Sequence, residues 1–172
     1  MTLRKPPYFF AAVFAGFALD LWSKHAVFER IPLGESVPVW EGVLHLKSAY
    51  NPGGAFSMFG DHPWLLVVLC AVIASGLVWW YLKMWKTEAA TALWGYGLVL
   101  SGAFGNLIDR IREPHMVRDF FDFRPQLPIV GHWAIFNVAD IFICVGVGLF
   151  LLAAIRGPKE VATPDPKQAH SA

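Results

Sequence analysis

Four long apolar stretches, separated by polar segments of unequal length, dominate the chain. Tyr8–Val27 is apolar except near its end, where Asp20 and Lys24 stand. Trp64–Leu82 and Ala89–Ile108 carry no charge at all. Trp133–Ile155 carries one, Asp140. At about 1.5 Å of rise per residue, each stretch is long enough to cross a hydrocarbon core of about 30 Å as a helix. The pattern predicts an all-α membrane protein, a bundle of four transmembrane helices in a single domain over residues 1–156.

The connections differ in kind. Lys83–Glu88 is short and basic, a tight turn between the second and third spans. His25–Pro63 is long, and within it Val37-Pro38-Val39-Trp40 and Val43-Leu44-His45-Leu46 alternate enough to predict short strands. A small β-structure outside the bundle is therefore expected. Asn51-Pro52-Gly53-Gly54 follows as a turn, with Pro presetting φ and Gly open to positive φ. Gly53 also lets another backbone approach closely, which marks it as a candidate substrate contact. The second long connection, Asp109–His132, carries Asp119 and a run of arginines at its start. Gly157–Ala172 has three prolines and no large apolar residue beyond Val161, so a disordered tail is expected.

Composition agrees with a membrane class. The chain is 56% hydrophobic and 16% charged, against about 45–50% and about 25% in soluble domains. Its mean hydropathy is +0.47. Arg4 and Lys5 before the first apolar stretch resemble the start of a secretory signal. That stretch is long for such a signal, however, and Asp20, Trp22 and Lys24 stand where small cleavage-site residues are needed, so it is read as a retained span.

Four spans put both ends of the chain on one side. Arg4, Lys5, Lys83, Lys86, Arg156, Lys159 and Lys167 lie on that side, and Lys24, Arg30, Lys47, Arg110, Arg112, Arg118 and Arg124 on the other. The numbers are equal, but the first set is packed into tails and a short turn. Lys/Arg bias is best read close to span ends and in short loops, so both termini are placed in the cytoplasm.

Against this map the polar residues converge. Asp20, Asn51, Asn106, Asp109, Arg110, Asp119, Asn137 and Asp140 all fall at the outer ends of spans or in the outer connections. Asp140 lies seven residues past Trp133, about 10 Å down the helix if the helix begins there. A carboxylate inside a span is costly and marks a functional site by default. Two aspartates meeting near a membrane surface, Asp119 and Asp140, suit acid–base chemistry. Several of these residues also have plainer readings. Asp20 and Lys24 are spaced i, i+4 and can form a simple salt bridge. Asn137 can be an interhelical hydrogen-bonding residue beside the site, and Gly102 and Gly105 can serve close helix packing. Arg110 can pair with Asp109 or a lipid phosphate, or orient a carboxylate. Ser23 beside Lys24 does not make a nucleophile pair, because adjacent helical residues face apart. Cys70 and Cys144 read as small buried hydrophobes, and neither they nor the six histidines have metal-ligand spacing.

Five blocks carry a family resemblance, in order along the chain: Asp20-Leu21-Trp22-Ser23-Lys24, Tyr50 to Ser57, Leu100-Ser101-Gly102-Ala103-Phe104-Gly105-Asn106-Leu107-Ile108-Asp109-Arg110, Val117-Arg118-Asp119-Phe120, and Phe136-Asn137-Val138-Ala139-Asp140. Together they resemble the signature of the lipoprotein signal peptidases, signal peptidase II. Pro52 and Gly54 stand where that family varies, and Arg118 where it is often apolar. The resemblance implies an aspartyl protease of the bacterial inner (cytoplasmic) membrane, with four transmembrane helices and a small extracytoplasmic β-structure. It implies removal of signal peptides from diacylglyceryl-modified prolipoproteins, on the amino side of the lipidated cysteine. Asp119 and Asp140 fall at the catalytic positions, and Asn51, Asn106, Arg110 and Asn137 at supporting ones; Asp20 matches a further family position. Lys24 and Gly53 are carried as candidates beside them. The expected partners are lipid-modified prolipoproteins and membrane lipid, with no nucleic acid, no metal and no cofactor, and the enzyme is expected to act as a monomer. The rival is a small transporter or proton-relay subunit using Asp20 and Asp140. A path through the membrane needs polar residues deep in the spans, where Trp64–Leu82 offers only Ser75 and Ala89–Ile108 only Thr91 and Ser101.

Overall fold

The computed structural model describes residues 7–52, 63–86, 89–112, 115–125 and 133–156. Gly53 and the expected tail at 157–172 lie outside these. The order of elements is α1 (Pro7–Phe28), β1 (Ser36–Trp40), β2 (Leu44–Asn51), α2 (Pro63–Met84), α3 (Ala90–Ile111), β3 (Val117–Phe123) and α4 (Val138–Arg156). Four helices thus stand where the apolar stretches predicted them. Two of them, over Trp64–Lys83 and Val138–Arg156, are long and apolar enough to cross a membrane.

The bundle is organised around α3, which packs against α1, α2 and α4. Its small residues let neighbours come close. A Cβ on Gly95 would meet the Gly146 carbonyl at 2.7 Å, and one on Gly146 would meet the Gly95 carbonyl at 2.7 Å, so α3 and α4 cross in backbone contact there. The inner core joins Phe9 and Val13 of α1, Tyr81 of α2, and Leu93, Tyr96 and Leu100 of α3. Phe9 and Tyr81 stack at 3.7 Å between ring centroids. Large apolar side chains also cover the outside: Phe14 is 67% exposed and Ile155 84%. A bundle with apolar side chains on both its inner and outer faces is one whose solvent is lipid.

The three strands form one antiparallel sheet in the order β1-β2-β3. Val37 pairs with Leu46, Leu46 with Phe121, and Ala49 with Asp119, with a register shift between Leu46 and Ala49. The sheet packs on α1 and α3 through β2 and β3. The predicted second strand is longer than expected, since Leu44–Asn51 continues to the edge of the site. β3 was not legible at all: Arg118, Asp119 and Asp122 interrupt any clean alternation in Val117–Phe123. It forms because β2 pairs with it on one side and Phe136 bridges to Phe121 on the other.

That bridge also corrects the start of the last helix. Trp133–Asn137 is not helical, and α4 begins at Val138. Phe136 exchanges backbone hydrogen bonds with Phe121, and its carbonyl also accepts from the Phe120 N–H, which holds the chain extended. Asp140 is therefore the third residue of α4, in its first turn, and not about 10 Å down a helix. Cys144 corrects a smaller expectation, being exposed on the outer face of α4 where a buried hydrophobe was expected.

Candidate active site

The site forms where the C-terminal ends of α1 and α3 meet the N-terminus of α4 under β3. A helix N-terminus leaves backbone N–H groups without intrahelical partners. Here Asn137 is the cap: its Oδ1 accepts the Asp140 N–H at 3.1 Å. Asp140 answers through Oδ2, which accepts the Asn137 N–H at 3.0 Å. This is the reciprocal arrangement of a capping box, built from Asn and Asp. The next donor, the Ala139 N–H, goes to Asp20 Oδ1 of α1 at 2.9 Å. Asp20 thus ties α1 to the start of α4, and Gly105 makes room for it, since a Cβ there would fall on the Asp20 carboxylate.

The Asn137 side chain then reaches the other aspartate. Its Nδ2 donates to Asp119 Oδ1 at 2.6 Å and to Asn106 Oδ1 at 3.2 Å. Asp119, on β3, accepts a second bond at Oδ2 from Asn51 Nδ2 at 2.9 Å. Asn106, on α3, donates from Nδ2 to Asp140 Oδ1 at 2.9 Å. The two aspartates are thereby joined through two asparagine amides. Asp119 is 2% exposed. Burial, then the charge of Asp140, raise its pKa to about 7, against a smaller opposing effect of its hydrogen bonds to Asn51 and Asn137.

Behind the pair lies a buried ion cluster. Lys24 is fully buried, with Nζ 2.8 Å from Asp20 Oδ2, 3.2 Å from Asp109 Oδ2 and 2.9 Å from Asn106 Oδ1. Asp109 also takes Arg118 Nη2 at 2.7 Å and Nε at 3.0 Å. The i, i+4 salt bridge of Asp20 and Lys24 is therefore present, and so is a link from it to the site. Asp109 pairs with Lys24 and Arg118, so the arginine it takes is not Arg110. Arg110 lies buried beside the cavity and donates to the Asn106 carbonyl at 3.4 Å. Ser23 Oγ is spent on the Asp20 carbonyl at 2.9 Å.

A cavity of about 720 Å³ opens in front of the pair. Asp119, Asp140, Asn51, Asn106 and Arg110 form its polar end. The rest of the lining is apolar, with Val117, Phe123, Trp133, Ile135, Ile141 and Val145 among it. Val145 is 48% exposed and Ile141 37%, so the apolar end of the cavity continues onto the outer face of α4.

A family model described as signal peptidase (SPase) II matches residues 12–156. The chain belongs to the signal peptidase II family. It is 38% identical over 144 residues to the lipoprotein signal peptidase of Halalkalibacterium halodurans, covering 83% of this chain and 88% of that one. It is 38% identical to that of Brevibacillus brevis over 84% of this chain and 91% of the relative. It is 36% identical to that of Haemophilus influenzae strain Rd, over 84% and 83%. Two solved structures share the fold, each described as a bacterial membrane enzyme solved by the in meso method. The one at 2.3 Å resolution has a TM-score of 0.75 at 24% identity, over 86% of this chain and 87% of that chain. The one at 1.9 Å has 0.73 at 23%, over 86% and 92%.

Of the residues singled out in the sequence, seven meet here: Asp119, Asp140, Asn51, Asn106 and Asn137 by direct hydrogen bonds, Lys24 through Asn106, and Asp20 through Lys24 and the Ala139 N–H. Arg110 lines the same cavity. Asp109 and Arg118 were not put forward as site residues, although the sequence offered a signal for them. Asp109 is three residues past Asn106 on one helix face, and Arg118 stands directly before Asp119.

Proposed function

We propose that this chain is an aspartyl endopeptidase of the bacterial inner membrane that removes signal peptides from diacylglyceryl-modified prolipoproteins, cutting on the amino side of the lipidated cysteine. The observation that carries the reading is the meeting of Asp119 and Asp140 at the polar end of a cavity whose other end is apolar and faces outward. Two neighbouring carboxylates share a proton more readily than both ionise. The ionised member takes a proton from water as it attacks the scissile carbonyl, while the protonated member donates to the carbonyl oxygen. The amide donors of Asn51, Asn106 and Asn137 hold the two carboxylates in place. The apolar end accepts acyl chains or signal-helix side chains arriving from the lipid. Neither a metal nor a cofactor is invoked. The direct test is cleavage of a diacylated precursor by the purified protein in detergent.

A pH dependence follows from Asp119. Its carboxyl is protonated below about 7 and ionised above it. Loss of that proton removes the acid, so turnover is expected to fall as pH rises through about 7. It is also expected to fall at low pH, where the pair takes up its second proton. A kcat profile that stays flat from pH 6 to about 9 would contradict the shared-proton mechanism.

The proposed topology has four spans, both termini in the cytoplasm and the sheet and site at the outer leaflet. It rests on charge density in the sequence and on the gathering of sheet, cavity and polar residues at one end of the bundle. Exposed Glu35 and exposed Lys86 report on the two ends. Glu35→Cys is expected to react with an impermeant thiol reagent on intact spheroplasts, and Lys86→Cys only after lysis, both on a background lacking Cys70 and Cys144. The reverse pattern would invert the topology.

A further inference from the structure

Arg110 stands at the polar end of the cavity with most of its donors unused. It is 7% exposed. Among the described residues its side chain donates one hydrogen bond, from Nη1 to the Asn106 carbonyl, and that one is long at 3.4 Å. Its Nε is buried without a partner. Nε and Nη2 form the edge of a guanidinium that meets two-oxygen groups. Arg118 spends that edge on Asp109, at 3.0 Å and 2.7 Å. In Arg110 the same edge is open. The neighbouring carboxylates do not fill it. Asp119 accepts from Asn51 and Asn137, Asp140 from the Asn106 side chain and the Asn137 N–H, and Asp109 is held by Arg118 and Lys24. A cation placed only to balance the dyad should touch one of these oxygens, and Arg110 touches none of them. A buried donor left without an acceptor is a standing cost in stability. It is explained if a ligand brings the acceptor.

The place of this edge suggests what the ligand is. Helical side chains lean toward the N-terminus of their helix, so the guanidinium lies over the turn of Asn106, as its bond there shows. The Asn106 side chain in turn donates to Asp140 at 2.9 Å. The open edge is therefore one residue away from the dyad, on the wall of the same cavity. A peptide substrate is uncharged at its scissile bond. Hydrolysis breaks the C–N bond, puts the water oxygen on the carbonyl carbon and delivers both water protons to the leaving nitrogen. At neutral pH a carboxylate and an ammonium then stand where there was no charge. We propose that the open edge of Arg110 binds the new C-terminal carboxylate of the cleaved signal peptide, and so makes Arg110 a product-binding residue. This rests on the peptidase reading above and adds a step to it. The dyad repels that carboxylate, and the guanidinium gives it a two-donor seat in a site with little water.

The test compares two synthetic signal peptides that end where the cut falls, one with a free C-terminal carboxylate and one with a C-terminal amide. Their Kd values for the purified protein in neutral detergent are read by fluorescence anisotropy at about pH 7, where the carboxylate is ionised. Wild type is expected to bind the acid roughly thirtyfold more tightly than the amide, the scale of charge-assisted hydrogen bonds. In Arg110→Gln the two should agree within about threefold. Arg110→Lys keeps the charge but loses the fork, so its preference should fall at least about threefold below wild type. That variant decides if Arg110→Gln does not fold. Equal binding of acid and amide by wild type would overturn the proposal, and would leave Arg110 to a peptide carbonyl. An acid preference undiminished in both variants would overturn it too, placing the carboxylate elsewhere. So would a wild-type preference that disappears when phosphatidylglycerol replaces phosphatidylcholine in the micelles, since a lipid phosphate would then hold the edge in the membrane. None of these measurements needs turnover. Failure of the peptidase reading looks different: a lipidated precursor would stay uncut whatever the two Kd values are.

Discussion

Asp119→Asn and Asp140→Asn are each expected to lower turnover by roughly four orders of magnitude, the scale seen when one member of a catalytic unit is removed. Both variants should remain folded. In Asp140→Asn the new side chain still has a carbonyl oxygen for the Asn137 N–H that Asp140 now accepts. It would, however, set an amide nitrogen against the donor Nδ2 of Asn106. At position 119, both carboxylate oxygens now accept amide donors, so an asparagine there would leave one donor facing another. Each mismatch is expected to cost about 1–3 kcal/mol of stability. Purified variants should therefore show a lowered Tm with a cooperative transition, and no measurable cleavage. Near-normal kcat in either would remove that aspartate from the chemistry.

A precursor of the same sequence without the diacylglyceryl group is expected to be cut about a thousandfold more slowly in kcat/KM. The polar end of the cavity holds the dyad, and the apolar end runs onto the outer face of α4. Acyl chains seated there leave water or a loose lipid contact for a fixed apolar one. At about 0.8 kcal/mol per buried CH₂, five methylenes contribute about 4 kcal/mol, close to a thousandfold. Matched lipidated and unlipidated precursors in the same detergent would measure this. Equal rates would keep a membrane protease but defeat the lipoprotein substrate.

The helices were legible because an apolar run of bilayer length has few alternatives. The site was legible for a related reason: a carboxylate or a lysine inside such a run conflicts with its surroundings, so Asp20, Lys24 and Asp140 announced themselves. Asp119 sits in no such run and was placed by the family resemblance and by its nearness in sequence to the last span. What escaped was set by contacts distant in sequence. β3 exists because β2 and Phe136 flank it, and nothing within Val117–Phe123 alternates cleanly. The same Phe136 bridge delays α4 to Val138, and so moves Asp140 from mid-helix to a capping position. The role of Asp109 depends on Lys24 from a helix far away in sequence, and spacing along one chain segment cannot show that.

The most direct measurement is a single-turnover reaction of the purified enzyme with a diacylated precursor in ¹⁸O-labelled water, followed by mass spectrometry of both products. Two carboxylates activating water should give one cut on the amino side of the lipidated cysteine. The heavy oxygen should appear in the new carboxylate of the signal peptide in the first turnover, and Asp119→Asn and Asp140→Asn should give no product. An unlabelled first product, its second oxygen taken from an aspartate carboxylate through a mixed anhydride that water opens at the enzyme's own carbon, would contradict direct attack by water. A cut elsewhere, or no cut by the wild-type enzyme, would contradict the proposed function itself.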